Sequence, residues 1–190
     1  MTFILISGDM NVGKTHVCNK LHSRIAEDQS FKVLYEPQNV SNMSKIDFIA
    51  HYEKNGKYIV LNSPSDDDRR MTEFAKYLDG LAANGVRPDA IVTTIREKDD
   101  GEDQMSRMLA LLDAIGNKTQ NLEAYYTSNI MTKPIPTPFA PSALRHNAFV
   151  LHLEKQNIEH EPDKTKALKP YWDDNADKIK YAIDFALAHL

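Results

Sequence analysis

Short apolar runs alternate with amphipathic stretches along much of the chain. Compact apolar runs are typical of buried strands, and apolar residues spaced three and four apart are typical of helices. The pattern predicts strands at Thr2–Ser7, Phe31–Tyr35, Lys57–Leu61, Ala90–Ile95 and Leu122–Thr127. It predicts helices at Lys14–Ala26, Lys45–Glu53, Met71–Ala83, Glu102–Ile115 and Asp173–Leu190. A helix is also compatible with Leu122–Thr127, and Ala148–Leu153 fits either type of element.

This alternation predicts an α/β fold in which a mainly parallel sheet of at least five strands lies between two layers of helices. Four prolines within Lys133–Pro141 exclude a helix or a central strand from that stretch. The 190 residues contain no repeat and no inter-domain linker. We therefore expect a single domain, with a core at 1–130 and a Pro-rich loop followed by a C-terminal helical segment at 131–190.

Composition excludes several classes of function. The formal net charge of −4 argues against strong direct nucleic-acid binding by this chain alone. The apolar runs are far shorter than the ~20 residues that span a bilayer, so we expect no membrane association. The single cysteine, Cys18, excludes an internal disulfide framework and a multi-cysteine zinc site. These features together predict a cytoplasmic protein.

The most informative segment is Gly8–Thr15, which reads GDMNVGKT and fits G-x-x-x-x-G-K-[ST] at every fixed position. Glycines let the backbone wrap closely around a phosphate with its N–H groups pointing inward. The helix predicted from Lys14 adds the positive end of its dipole. Lys14 supplies a cation to the β- and γ-phosphates, and the Thr15 hydroxyl is suited to ligate Mg²⁺.

The motif and its place between a short strand and a helix resemble the P-loop NTPase superfamily. The resemblance covers the alternating elements to about Thr127 and implies a P-loop NTPase fold, with ATP and Mg²⁺ bound over the first strand–helix turn. The implied nucleotide-binding residues are Gly8, Asp9, Met10, Asn11, Val12, Gly13, Lys14, Thr15 and His16. For His16, a position on the helix surface is the alternative.

Members of this superfamily usually hold Mg²⁺ with an aspartate at the end of a strand beside the loop. Here the strand YIVLN ends in Asn62, which can bind a metal-coordinated water but adds no negative charge. Asp66, within the acidic cluster after this strand, is a candidate for a metal or water-activating role. Asp residues also suit a helix N-terminus, and capping is therefore the alternative role of this cluster.

Within the superfamily, the chain most resembles the plasmid-partition and plasmid-stability switch ATPases. The loop SGDMNVGKTH is similar to their N-V-G-K-T loops, and the stretch from Asp89 to Gly116 is similar to their strand, variable loop and long helix. The resemblance implies ATP hydrolysis, a possible homodimer, and adenine contact by Asn129 with Lys133–Pro141 as one wall. Most such ATPases carry a further lysine near the start of the loop, where this chain has Asp9 and Met10.

Two alternatives remain. The stretch KVLYEPQ resembles the second strand of nucleoside and nucleotide kinases, in which Glu36 would be the general base for the substrate hydroxyl. Glu36 and Pro37 also fit a polar strand end followed by a turn. The other alternative is a nucleotide-dependent binding module with little turnover, a role that Asn62 in place of an acid would suit.

Overall fold

In the part of the chain that the structure describes, six strands form one sheet. The computed structural model describes residues 1–36, 47–64, 68–96 and 147–189. The strands are β1 Thr2–Gly8, β2 Lys32–Tyr35, β3 Ile49–Lys54, β4 Lys57–Asn62, β5 Ala90–Arg96 and β6 Asn147–His152. The helices within the described ranges are α1 Lys14–Glu27, α2 Asp68–Ala83 and α3 Lys164–His189.

The sheet has the strand order β2-β3-β4-β5-β1-β6. Parallel pairing joins β4 to β5, β5 to β1 and β1 to β6, whereas β3 runs antiparallel to both of its neighbours. The predicted α/β fold with a mainly parallel sheet is therefore confirmed. Because β3 is reversed, its first residue lies at the same edge of the sheet as the last residues of the parallel strands.

Alternate residues of β1 pack against helices on opposite faces of the sheet, as expected for a strand buried on both sides. Ile4 and Ile6 belong to the larger core cluster, which also contains the buried faces of α1 and α3. Phe3 and Leu5 belong to a second cluster with Phe74 of α2. All four β1 side chains are essentially inaccessible to solvent.

The helix predicted at Lys45–Glu53 is wrong, because Ile49–Lys54 forms strand β3. Ile49 and Ala50 also fit a strand with alternating burial. Phe48, just before the strand, and Ala50 and Tyr52 within it are all buried. Ile49 packs against the cluster on the opposite face of the sheet. Pairing with β4 across the whole strand satisfies the backbone hydrogen bonds and decides between the two patterns.

Most other predicted elements within the described residues have the predicted type. Ala148–Leu153, which fitted either type, lies mainly in strand β6. The terminal helix begins at Lys164 rather than Asp173 and contains Pro170. The predicted elements at 102–115 and 122–127 and the Pro-rich stretch at 133–141 lie outside the described residues. No helix in the described ranges has both the length and the apolar character needed to cross a bilayer.

Candidate functional site

The loop Gly8–Thr15 connects the end of β1 to the start of α1, at the carboxyl edge of the parallel strands. Gly8 has a φ of 150°, and a Cβ atom there would lie 2.7 Å from the carbonyl oxygen of Leu153. Gly13, with a φ of 97°, is the residue before the helix, and as a glycine it offers no side-chain hydrogen bond to the first turn of α1. The loop therefore requires glycine at both positions, and it lies at the positive end of the α1 helix dipole.

The first turn of α1 packs against Trp172 of α3. A Cβ atom on Gly13 would lie 2.5 Å from the indole Nε1 of Trp172, so only glycine allows this approach. The His16 ring stacks on the same indole, with centroids 4.0 Å apart and an angle of 9° between the planes. Trp172 is 6% exposed, and its Nε1 has no hydrogen-bond partner among the described residues. The loop thus lies against a buried N–H donor.

Lys14 turns back over the loop from the first position of α1. Its Nζ donates hydrogen bonds to the backbone carbonyls of Gly8 and Asp9, at 2.8 and 2.9 Å. The side chain is 7% exposed. These bonds hold the ammonium group at the mouth of the loop, where the sequence motif predicts a phosphate-binding cation.

A cavity of about 870 Å³ lies against the loop and the start of α1. Asn11 to His16 line one side, and Lys155 to Glu159, in the connection from β6 to α3, line another. Lys164, Thr165, Leu168 and Trp172 add a wall from α3. Three lysines and one glutamate are among these residues, so the lining carries net positive charge. The volume is within the range typical of small-molecule sites.

The Thr15 hydroxyl donates a hydrogen bond to Oδ1 of Asp47, at 3.1 Å. Asp47 is partly exposed and lies two residues before β3. Burial raises the pKa of the Cys18 thiol, one turn further along α1, and the Asp47 charge raises it further while Lys14 opposes the shift. Cys18 is therefore an unreactive buried thiol between the two charged groups.

Asn62, predicted as a metal-side residue, is fully buried. Its Nδ2 donates hydrogen bonds to the Pro64 carbonyl at 3.0 Å and to Oγ1 of Thr93 at 2.9 Å. Its Oδ1 has no partner among the described residues. Strand β5 separates β4 from β1, and the pairing through Thr93 places Asn62 level with Leu5 rather than with Gly8. Asn62 thus lies deeper in the sheet than the loop.

Glu36 lies beside α1, where its carboxylate is 3.0 Å from Nε2 of His22. The other ring nitrogen of His22 is 2.6 Å from the Tyr52 hydroxyl. Burial lowers the pKa of His22, outweighing the opposite effect of the Glu36 charge, and burial raises the pKa of Tyr52 well above its ordinary value. A neutral His22 therefore accepts a hydrogen bond from Tyr52 and donates one to Glu36.

The structure brings together the predicted residues of the loop, and His16 lines the same cavity. Glu36 lies away from the loop, because it contacts His22 of α1. At 1.5 Å per residue, His22 is about 10 Å along the helix from Thr15. Asp66 and Asn129 lie outside the described residues. Sequence reasoning missed Asp47 and the wall at Lys155–Glu159. Assigning β3 as a strand would have placed Asp47 at the correct edge, but no local pattern indicates the wall.

The close approach of Trp172 predicts opposite effects of alanine at two glycines. Gly13→Ala adds a Cβ atom against the indole at a left-handed φ, and we expect the free energy of unfolding to fall by about 2–4 kcal/mol. Gly80→Ala lies within α2, where nothing lies within 4 Å of the added atom, and should raise it by about 0.5–1 kcal/mol. Urea denaturation of both variants measures the difference. Equal effects would contradict the packing described for Gly13.

The His22 network predicts that stability falls in mild acid. Because the folded pKa of His22 is lowered, the unfolded chain takes up a proton first as the pH drops below about 6.5. For each proton that the unfolded chain binds in excess of the folded protein, the free energy of unfolding falls by about 1.4 kcal/mol per pH unit. His22→Gln should reduce the loss of stability between about pH 7.5 and 5.5, measured by urea denaturation. Part of the loss should remain, since burial also lowers the pKa of His51.

The matched control is His160→Gln, which makes the same substitution at an exposed histidine outside the network. If the His22 variant has the same pH dependence as the unmodified protein, the assigned protonation of the network is wrong.

Comparison with known proteins gives no match to this chain among family models, curated proteins or solved structures. The interpretation of the site therefore depends on the geometry of Gly8–Thr15 and its surroundings, together with the sequence resemblance of that segment.

Proposed function

We propose that this protein binds Mg²⁺·ATP in the cavity beside Gly8–Thr15 and acts as a nucleotide-dependent switch ATPase with a P-loop NTPase fold. One observation carries the proposal. A motif that fits a phosphate-binding loop forms a glycine-capped helix start, holds Lys14 over its own carbonyls and lines a cavity of about 870 Å³.

Charge supports a polyanionic ligand at the loop. The start of α1 presents backbone N–H groups and the positive end of a helix dipole, an arrangement that favours phosphate. Lys14 is already at the loop, and Lys155 and Lys164 line the same cavity. A triphosphate carries enough negative charge to interact with all three cations, whereas a neutral ligand would bring them no opposite charge.

The buried indole N–H of Trp172 supports the same site. A buried donor without an acceptor costs roughly 1–3 kcal/mol, and the described residues supply none for Nε1. The indole lines the cavity beside Gly13. Because Nε1 itself is covered by protein atoms beside Gly13, a phosphate oxygen would reach this donor only after a small shift of the indole or of the Gly13 backbone.

The remainder of the nucleotide has room along the wall formed by Lys155–Glu159. Gln156 and Asn157 offer amide groups for hydrogen bonds to a base, and Ile158 and Leu168 add apolar surface. Mixed linings of this kind are typical of small-molecule sites. This wall is a second candidate for base contact besides Asn129, the residue implied by the sequence resemblance.

Hydrolysis would need positioning and charge stabilisation rather than a covalent intermediate. In this proposal Lys14 stabilises charge on the β- and γ-phosphates and the Thr15 hydroxyl faces Mg²⁺, which supplies further positive charge when bound. The role of Asp66 in activating water and the homodimer remain hypotheses drawn from the resemblance to switch ATPases.

The kinase hypothesis has less support from the geometry. Glu36, the base in that hypothesis, accepts a hydrogen bond from His22 of α1. His22 is about 10 Å along the helix from Thr15, so Glu36 is away from the loop. The third hypothesis, a binding module with little turnover, draws on the buried amide of Asn62, which adds no charge near the loop.

Trp172 offers a direct test because it is the only tryptophan in the chain and lines the cavity. ATP with Mg²⁺ should change its fluorescence in a saturable manner. Lys14→Ala should raise the Kd by roughly 100-fold, because hydrogen bonds to charged groups contribute about 1.5–3 kcal/mol each. Phosphate release should be lost in the same variant.

The matched control is Lys76→Ala. Lys76 is exposed on α2, which packs on the opposite face of the sheet from α1 and is distant from the loop in sequence. It should bind ATP as the unmodified protein does. An unchanged Kd in the Lys14 variant would refute nucleotide binding at the loop. Binding without phosphate release would favour the binding-module hypothesis instead.

A further inference from the structure

The hydrogen bond between Thr15 and Asp47 indicates how the metal side of the nucleotide site is completed, an inference that rests on the proposed function. A hydroxyl has one proton and two lone pairs. With its proton directed to Asp47 at 3.1 Å, the Thr15 oxygen keeps its lone pairs for a metal ion. Carboxylate and hydroxyl oxygens are ligands suited to Mg²⁺.

The reversed strand β3 places Asp47 at this edge of the sheet. Phe48, the next residue, is bound through both its N–H and its carbonyl to Ser63, which follows the last residue of β4. The Phe48 N–H donates to Oγ of Ser63 at 2.7 Å, and the Ser63 N–H donates to the Phe48 carbonyl at 2.9 Å. These bonds fix the backbone beside Asp47, so its carboxylate is held by the sheet and directed to α1.

Asn62 stands at the strand end where the sequence resemblance implies an acid, but it cannot supply the carboxylate of a metal site. Asn62 is uncharged, its amide N–H groups donate to Pro64 and Thr93, and it lies level with Leu5. Asp47 is partly exposed and accepts a hydrogen bond from the motif threonine. Between the two residues, only Asp47 combines negative charge with contact to Thr15.

We propose that Asp47, rather than Asn62, supplies the carboxylate of the Mg²⁺ site, acting together with the Thr15 hydroxyl. The acid therefore comes from the residues just before an antiparallel strand instead of the end of a parallel one. The hydrogen bond from Thr15 to Asp47 joins the first turn of α1 to the residues just before β3.

The test measures how far Mg²⁺ tightens ATP binding, using the fluorescence of Trp172. The Kd for ATP is measured with excess Mg²⁺ and with EDTA, and the ratio of the two is the metal enhancement. Asp47→Asn keeps an oxygen acceptor for Thr15 but removes the charge. It should reduce the enhancement at least about tenfold, the usual effect of losing such a metal-site group, and leave the Kd in EDTA within about twofold.

Two further variants separate charge from structure. Asp47→Glu keeps the carboxylate and should retain most of the metal enhancement, whereas a purely structural role would favour the isosteric asparagine over glutamate. Asp79→Asn removes an exposed carboxylate on α2, on the other face of the sheet, and should change neither Kd. Thermal unfolding without nucleotide verifies that each variant is folded.

The outcomes distinguish this inference from the proposed function. If Asp47→Asn keeps the full metal enhancement, or if glutamate loses it while asparagine keeps it, Asp47 is not the metal-site carboxylate and ATP binding stands. If the unmodified protein binds ATP neither with Mg²⁺ nor with EDTA, the proposed function fails, and this inference fails with it.

Discussion

The packing of the Trp172 indole against Gly13 is the contact on which the candidate site depends. It sets the position of the first turn of α1, and with it the direction of the backbone N–H groups at the helix start. It also joins the site to a helix more than a hundred residues away in the sequence. A second close contact, between Gly8 and the Leu153 carbonyl, holds the opposite end of the loop. The loop is therefore positioned at both ends by the C-terminal part of the chain.

The packing of α3 against α1 maintains these contacts. Trp172, Ala176, Ile179 and Ile183 belong to the same buried cluster as Val17, Leu21 and Ile25. Arg24 adds hydrogen-bonded ion pairs to Asp173 at 3.1 Å and to Asp177 at 2.6 Å. Partly exposed pairs contribute at most about 1 kcal/mol each, so apolar burial supplies most of the stabilisation. The ion pairs mainly fix the register of the two helices, and Asp173 is the neighbour of Trp172.

Much of the fold is visible in the sequence because local patterns determine it. The buried strands β1, β4 and β5 are compact apolar or β-branched runs, and the motif at Gly8–Thr15 specifies its own turn and helix start. The prediction for β3 is wrong because Ile49 and Ala50 fit both helical and alternating spacing, and only pairing with β4 decides between them. Without strand β3, the sequence does not place Asp47 at the edge of the sheet beside the loop. The cavity wall at Lys155–Glu159 has no local signature, since the β1–β6 pairing places it beside the loop.

In the proposed complex, Gly8–Thr15 binds the phosphates of a nucleotide, with Mg²⁺ held between Thr15 and Asp47. A crystal structure with Mg²⁺ and a non-hydrolysable ATP analogue tests it most directly. We expect phosphate oxygens in contact with the loop N–H groups and Lys14 Nζ, and the metal beside Thr15 with Asp47 facing it. A nucleotide bound elsewhere, with Lys14 Nζ still donating to the carbonyls of Gly8 and Asp9 and to no phosphate, would contradict it.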